Sequence, residues 1–319
     1  MNRIVTLLLT STTLALLVAC GGGGSSSSNG TLSVSLTDAP VDEADAVVVH
    51  FTKATIQPAS GERFTVDIID PLTNLPGRSV DLLQLTGDKS TVLFDESLVA
   101  GDYSWIRLDV DFDPLKTYID IAGQQYALDC TSCENNGLKL NRSFTVDADN
   151  TQAITLDFDL RKSITKPQSQ TAYKLRPTIR IIDTEGAGKI MGNIDADLIT
   201  QLTTPDGDAK NCIVYVYAGL DITPDDIYLP ETGNAPAAYN NPVTTAPAEL
   251  DSASGDYQYM AAFLPEGSYT VSLTCNADLD NTELDDSGIE FTGTANVDVT
   301  ATMATTHDFS VPMTPIAAP

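Results

Sequence analysis

Histidine is nearly missing from this chain: His50 and His307 are the only two among 319 residues. Neither stands in a motif that would set a serine nucleophile or a second pair of metal ligands beside it, which removes the usual linear signs of Ser-His-Asp chemistry and of zinc sites. Basic residues are scarce as well, 17 against 44 acidic, for a formal net charge of −27. Such a chain repels nucleic acid and anionic membrane surfaces, so no nucleic-acid partner is expected. The acidity reads first as a soluble surface that resists aggregation, with divalent-cation binding as the sharper alternative. No Gly-rich phosphate loop, HExxH or kinase signature occurs. Helical periodicity is almost absent too, with no window keeping apolar residues at three- and four-residue spacing for more than about two turns. An enzyme is therefore not expected, although a carboxylate pair for glycoside hydrolysis would leave no trace in linear spacing.

What the chain has instead is one strand pattern after another. Thr31–Thr37 alternates apolar and polar residues and stops at Asp38-Ala39-Pro40, where the proline removes a ladder donor. Further runs read at Ala46–Ile56, Phe64–Ile69, Val80–Leu83, Thr91–Phe94, Tyr103–Phe112, Thr117–Ile121, Leu138–Val146, Ala153–Leu160 and Tyr173–Ile182. Gly, Pro, Asn and Asp punctuate them. Short strands at regular spacing predict an all-β fold of antiparallel, Ig-like β-sandwiches. At about 100–200 residues per domain, the length beyond Thr31 suits two. The expected division is residues 31–184 and 189–319, with Thr184-Glu185-Gly186-Ala187-Gly188 as a hinge. Within the second domain, Thr223 to Pro247 is rich in proline and reads as a long surface excursion able to contact a partner.

Ahead of the strands, residues 1–19 carry Arg3, an apolar run from Ile4 to Ala19, and then Leu17-Val18-Ala19-Cys20. The run is too short for a spanning helix, which needs about 20 mostly apolar residues. This start resembles the signal peptide and lipobox of bacterial lipoproteins, in which the cysteine is lipidated and everything before it is removed. The resemblance implies a diacylglyceryl group and an amide-linked acyl chain on Cys20. Each buried methylene contributes about 0.8 kcal/mol and two or more chains hold well, so the anchor would be permanent. Gly21 is not the Asp that retains such proteins in the inner membrane, and the implied location is the cell outer membrane, on its extracytoplasmic side. Residues 20–30 form the lipidated cysteine and a Gly/Ser tether. Its side chains are too small to offset the entropy of ordering, and its mean reach is roughly 16–19 Å.

Two further resemblances follow from the strands. Leu36-Thr37-Asp38-Ala39-Pro40, Val80-Asp81-Leu82-Leu83-Gln84-Leu85-Thr86-Gly87, Ala100-Gly101-Asp102-Tyr103-Ser104-Trp105-Ile106-Arg107-Leu108 and Lys174-Leu175-Arg176-Pro177-Thr178-Ile179 resemble, in order, a bacterial lipoprotein domain of unknown function of the 4382 type, which offers no catalytic residues to carry over. Gly192-Asn193-Ile194-Asp195-Ala196, Cys212–Tyr217 and Ala262–Val271, with the corner Leu264-Pro265-Glu266-Gly267-Ser268-Tyr269, resemble the carboxypeptidase regulatory-like, prealbumin-type sandwich.

Apart from Cys20 there are four cysteines, and an oxidising compartment predicts two disulfides. Cys130 with Cys133 and Cys212 with Cys275 keep each pair inside one expected domain. In the chain-entropy model the short loop stabilises by about 2 kcal/mol and the long one by about 4. The densest oxygen cluster follows Cys275: Asp278, Asp280, Asn281, Glu283 and Asp285 could supply a calcium site of an irregular kind, since the EF-hand glycine and spacing are absent. No other cofactor is expected. Together these readings describe an outer-membrane-anchored, non-catalytic binding or structural module that meets a protein or glycan partner in the envelope. The alternatives are a carboxylate-based hydrolase of surface polymer and a subunit of a secretion or assembly complex.

Overall fold

The computed structural model describes residues 28–39, 44–165, 173–203, 209–230 and 239–311. Cys20, most of the tether, Pro40, and residues 231–238 of the proline-rich excursion lie outside them. Burial alternates where the sequence alternates. In β1 (Asn29–Ala39), Leu32, Val34 and Leu36 are fully buried, while Ser33 and Ser35 between them are half-buried. Val47, Val49 and Phe51 repeat the pattern in β2 (Ala46–Pro58). Each such Leu, Val or Phe contributes about 1.5–3 kcal/mol by leaving water, which decides the face each strand turns inward.

The first fourteen strands make two sheets. One has the order β14 (Ile179–Asp183), β11 (Thr151–Asp159), β1, β5 (Thr91–Val99). The other is built on β2 and β6 (Gly101–Val110), with β3 (Phe64–Asp67), β4 (Arg78–Asp81) and β7 (Tyr118–Ile121) also on β2, and β9 (Leu138–Leu140) and β10 (Phe144–Val146) on β6. It continues through β8 (Gln124–Asp129), β13 (Tyr173–Leu175) and β12 (Ile164–Thr165). Between the sheets lies one apolar core, in which Phe51 meets Phe158 edge to face at 6.1 Å. The strands the sequence predicts at Leu138–Val146 and Tyr173–Ile182 are each interrupted, and Leu82–Leu85 forms a single 3-10 turn capped by the Asp81 carboxylate.

From Ala187 on, two four-stranded sheets enclose a second core. One runs β18 (Glu249–Leu250), β19 (Tyr257–Pro265), β15 (Ala187–Ile194), β22 (Ala304–Thr306). The other runs β17 (Thr244–Pro247), β16 (Ile213–Ala218), β20 (Gly267–Thr274), β21 (Thr292–Val299). Ile190, Val214, Val216, Leu273 and Phe309 fill the space between them. Most neighbours run antiparallel, but β1 pairs parallel with β11, β8 with β13 and β15 with β22. These are distant strands brought together by the closing of each sandwich. Among the described residues α-helix is confined to three short pieces, α1 (Thr131–Asn136), α2 (Leu160–Ser163) and α3 (Ala196–Leu202). No helix among the described residues is long and apolar enough to cross a membrane.

Both disulfides form. Cys130 joins Cys133 at the start of α1, and Cys212 joins Cys275 one position beyond the Ile213–Thr274 pair of β16 and β20. The glycine-rich break between the sandwiches is a single turn, Thr184–Gly186, capped by the Asp183 carboxylate, with strand on both sides. Across the junction, Arg161 of α2 donates to the carbonyl of Ala277 and lies over the Tyr215 ring at 5.5 Å. Lys162, 8 % exposed, pairs with Asp159 at 2.6 Å and donates to the Pro242 carbonyl at 2.7 Å. Arg176 meets Glu283 at 3.0 Å and Lys189 meets Asp88 at 2.8 Å. Of these the Lys162–Asp159 pair is the buried one, and breaking it from one side costs several kcal/mol because the remaining charge has no water to turn to.

Candidate functional site

β16 is apolar on both faces, and its outer face creates the first candidate. Val214 and Val216 point to the core between the sheets, whereas Ile213, Tyr215 and Tyr217 point outward. They are nevertheless buried, because Ile227 and Ala277 from two loops cover them. The loops are tied together: Leu229 N–H donates to the Thr282 carbonyl at 2.6 Å, and Asp286 N–H to Asp226 Oδ2 at 2.7 Å. This brings Asp226, Asp280 and Asp286 together, with one oxygen from each lying within 4.8 Å of the others.

Five donors already occupy this cluster. Tyr215 Oη donates to Asp280, Tyr239 Oη to Asp226, and the amides of Ile227, Asn281 and Asp286 to Asp280, Asp286 and Asp226. Burial pushes the Asp226 carboxyl up to about 7, and raises that of Asp280 against the pull of Tyr215 and Arg161. Of the five ligands expected from sequence, Asp280 alone enters the cluster. Asp278, Asn281 and Asp285 are exposed, and Glu283 is taken by Arg176. Asp226 and Asp286 were missed: Asp226 is some fifty residues upstream of the acidic run, and its approach depends on how the excursion folds back. Three carboxylates supply three of the six to eight oxygens that calcium takes.

The excursion from Thr223 to Pro247 is accordingly not a free loop throughout. Asp226 and Ile227 are buried, and Thr244–Pro247 is a strand.

A second acid group lies under the junction. Asp38, from the Leu-Thr-Asp-Ala-Pro stretch, is 4 % exposed near Asp157 and Asp159. Burial holds its carboxyl well above the usual range, and the two neighbouring aspartates push the same way. Arg180 donates from Nε to Asp157 at 2.8 Å and Lys162 neutralises Asp159. The seam is closed from outside by Thr244, Thr245 and Met260 of the C-terminal sandwich.

The histidines take the places expected of structural residues. His50 Nδ1 does lie 2.8 Å from Ser79 Oγ, a neighbour invisible in the sequence, because the two are opposite each other on β2 and β4. Its other ring nitrogen packs against Gly77, and among the described residues no carboxylate hydrogen-bonds it. Burial lowers the pKa of both His50 and His307. Without an orienting acid the pair is a cross-strand contact, not an activated nucleophile.

Open spaces lie elsewhere. A cleft of about 240 Å³ separates Thr86–Lys89 of the N-terminal sandwich from Met191, Asn193, Gln258 and Met260 of the other. A groove of about 400 Å³ runs between β9 and β14. Neither is lined by the Asp226 cluster.

Fold and site thus define an all-β sandwich protein in which two groups of aspartates, around Asp226 and around Asp38, are enclosed. Residues 29–177 match the sequence model of a family described as a domain of unknown function, DUF4382. No curated protein matches the chain. Among solved structures, a leucine-rich repeat protein from Bacteroides thetaiotaomicron shares 14 % identity over 90 % of this chain and 26 % of its own, with a TM-score of 0.21. This chain therefore spans about a quarter of that protein. The minor pilin GBS52 of Streptococcus agalactiae shares 12 % over 90 % and 100 %, with a TM-score of 0.17. The fimbrial anchor protein Mfa2 of Porphyromonas gingivalis shares 12 % over 80 % and 83 %, at 0.20. At such TM-scores these likenesses say nothing of function, which has to come from the chain's own residues.

Proposed function

We propose that the chain is a non-catalytic binding or structural module of the cell envelope, held at the outer membrane by lipid on Cys20 and presenting two β-sandwich domains as one stiff body. The observation that supports this best is the junction, where Arg161 and Lys162 are buried against carbonyls of the C-terminal sandwich. A linker meant to swing would leave those charges in water. The acids that a hydrolase would need are held inside packed loops: Asp226 is 1 % exposed and closed off by Tyr239 and the Asp286 amide. The partner is a protein or glycan of the envelope.

Crosslinking on intact cells followed by mass spectrometry tests the reading. A defined set of envelope partners, together with a mature amino terminus carrying three acyl chains, supports it. Recovery of the protein unlipidated and without partners overturns it. The carboxylate-hydrolase alternative is favoured by one observation, the raised pKa of Asp226 beside two other acids. It requires turnover of surface polymer that Asp226→Asn abolishes.

A further inference from the structure

The open side of the N-terminal sandwich has two free edges facing each other. Among the described residues β14 is bonded to β11 alone, and β9 and β10 to β6 alone. An edge strand carries a row of unpaired N–H and C=O groups, ready to receive another strand. Between these edges lies the groove of about 400 Å³, floored by Leu138, Leu140, Ile179 and Ile181. A second hollow of about 120 Å³ shares Ile181 and continues past Arg142 and Phe144 to Asp183. The floor is core material: Leu138 and Leu140 are buried, and Ile179 and Ile181 are half-buried against the main cluster. The larger hollow falls within the roughly 300–1,000 Å³ of specific ligand sites.

The groove is bridged at one point. Arg142, from the loop between β9 and β10, crosses it and donates to the main-chain carbonyl of Ile181. At the opposite edge of the same sheet, Arg78 donates to the Val92 carbonyl of β5. Both edges are thus covered by a guanidinium, and the β14 edge has a hollow with an apolar floor beneath it.

Charge indicates what fits. In a chain with 44 acidic and 17 basic residues, the groove has Lys139, its ammonium 4.7 Å from the centre of the Trp105 ring, and Arg142 exposed on its rim, and among the described residues Asp183 is the one acid lining either hollow. At physiological ionic strength the Debye length is about 8 Å. Distant carboxylates are screened, so these two cations set the local sign.

We propose that this groove accepts an extended strand from a partner protein, one in which apolar residues alternate with acidic ones. The strand pairs with the outer edge of β14. Its apolar side chains, all on one face at period two, cover Leu138, Leu140, Ile179 and Ile181. Its acidic side chains meet Lys139 and Arg142, and the Arg142 guanidinium moves from the Ile181 carbonyl to a carboxylate. The proposal rests on the binding-module reading and names its partner's chemistry.

The test uses the full folded chain and a fluorescein-labelled seven-residue peptide alternating valine with aspartate. Two comparison peptides replace every aspartate with lysine or the central valine with proline. The expected result is saturable binding of the first peptide, at least tenfold weaker binding of the others, and slowed amide exchange over Ile179–Asp183. The double variant Lys139→Glu, Arg142→Glu weakens binding at least tenfold with an unchanged melting temperature; Ile179→Asp gives a second loss from the groove floor. Equal binding of the lysine or proline peptide, protection on β5 in place of β14, or no saturable binding at millimolar peptide overturns the proposal. A failure here with envelope partners still captured by crosslinking would leave the module reading standing, which separates the two.

Discussion

Tyr103 and Tyr269 occupy equivalent corners. In Val99-Ala100-Gly101-Asp102-Tyr103 and Pro265-Glu266-Gly267-Ser268-Tyr269 the chain leaves one sheet and enters the other, through a glycine at φ +153° and +157°. A side chain would strain that backbone. Each tyrosine then donates to the carbonyl four residues back, Tyr103 to Val99 at 2.7 Å and Tyr269 to Pro265 at 2.8 Å. A hydrogen bond of this type contributes about 0.5–1.5 kcal/mol net. Tyr103→Phe and Tyr269→Phe are each expected to lower unfolding free energy by about 1 kcal/mol in urea titration, with the fold unchanged by circular dichroism. Asp226 gives a prediction of opposite sense. Its carboxyl is raised to about 7 in the folded protein, against 3.8 ordinarily. The folded state therefore holds the proton more tightly, and the stability this proton confers is lost as pH rises from about 4 through 7. Asp226→Asn keeps the uncharged form at every pH. It should melt higher than the parent at pH 8 and close to it at pH 5. With five donors already on the carboxylates, calcium at neutral pH is expected to leave the melting temperature unmoved.

At the scale of elements, β16 shows why the acidic loops are shaped as they are. A strand apolar on both faces needs cover on both, and the excursion after it supplies the outer layer by folding Ile227 onto Tyr215 and Tyr217. The Cys212–Cys275 bridge ties the start of β16 to the end of β20 beneath that layer. Closing a loop of this length stabilises by about 4 kcal/mol in the chain-entropy model. Cys212→Ala with Cys275→Ala should therefore lower the C-terminal sandwich's unfolding free energy by about that amount. The same exchange at Cys130 and Cys133 should cost about half as much, both measured by denaturant titration. Strand positions were largely legible, because alternation marks the buried face. Their partners were not: nothing in Thr31–Ala39 specifies the parallel register with Thr151–Asp159, which follows only when both sheets close on one core.

For the whole molecule the question is whether the sandwiches move as one. The sequence placed a hinge at Thr184–Gly188, and the chain there is a capped turn between strands. The contacts that fix the junction come from α2 and the Asp159 carboxylate; sequence patterning ended a strand at Leu160 and gave Arg161 and Lys162 no element. Lys162→Ala removes the buried partner of Asp159, a change that typically costs about 3–5 kcal/mol. Scanning calorimetry should then show two separated transitions where the parent shows one. A single transition shifted only slightly would mean that the junction is held by other contacts.

Period-two alternation and the two glycine-tyrosine corners made the sandwich architecture legible without coordinates, because each is a local requirement of strand geometry, and keeping each cysteine pair inside one expected domain gave the two disulfides that form. The tertiary structure alone decided which carboxylates meet. Asp226 with Asp280 and Asp286, and Asp38 with Asp157, are brought together by loops and strands distant in sequence, and the burial that raises the carboxyls of Asp226, Asp280, Asp38 and Asp157 is carried by no linear pattern. It also decided where the edges stay open, since a strand's sequence states which face it buries and not whether a neighbour lies along its flank.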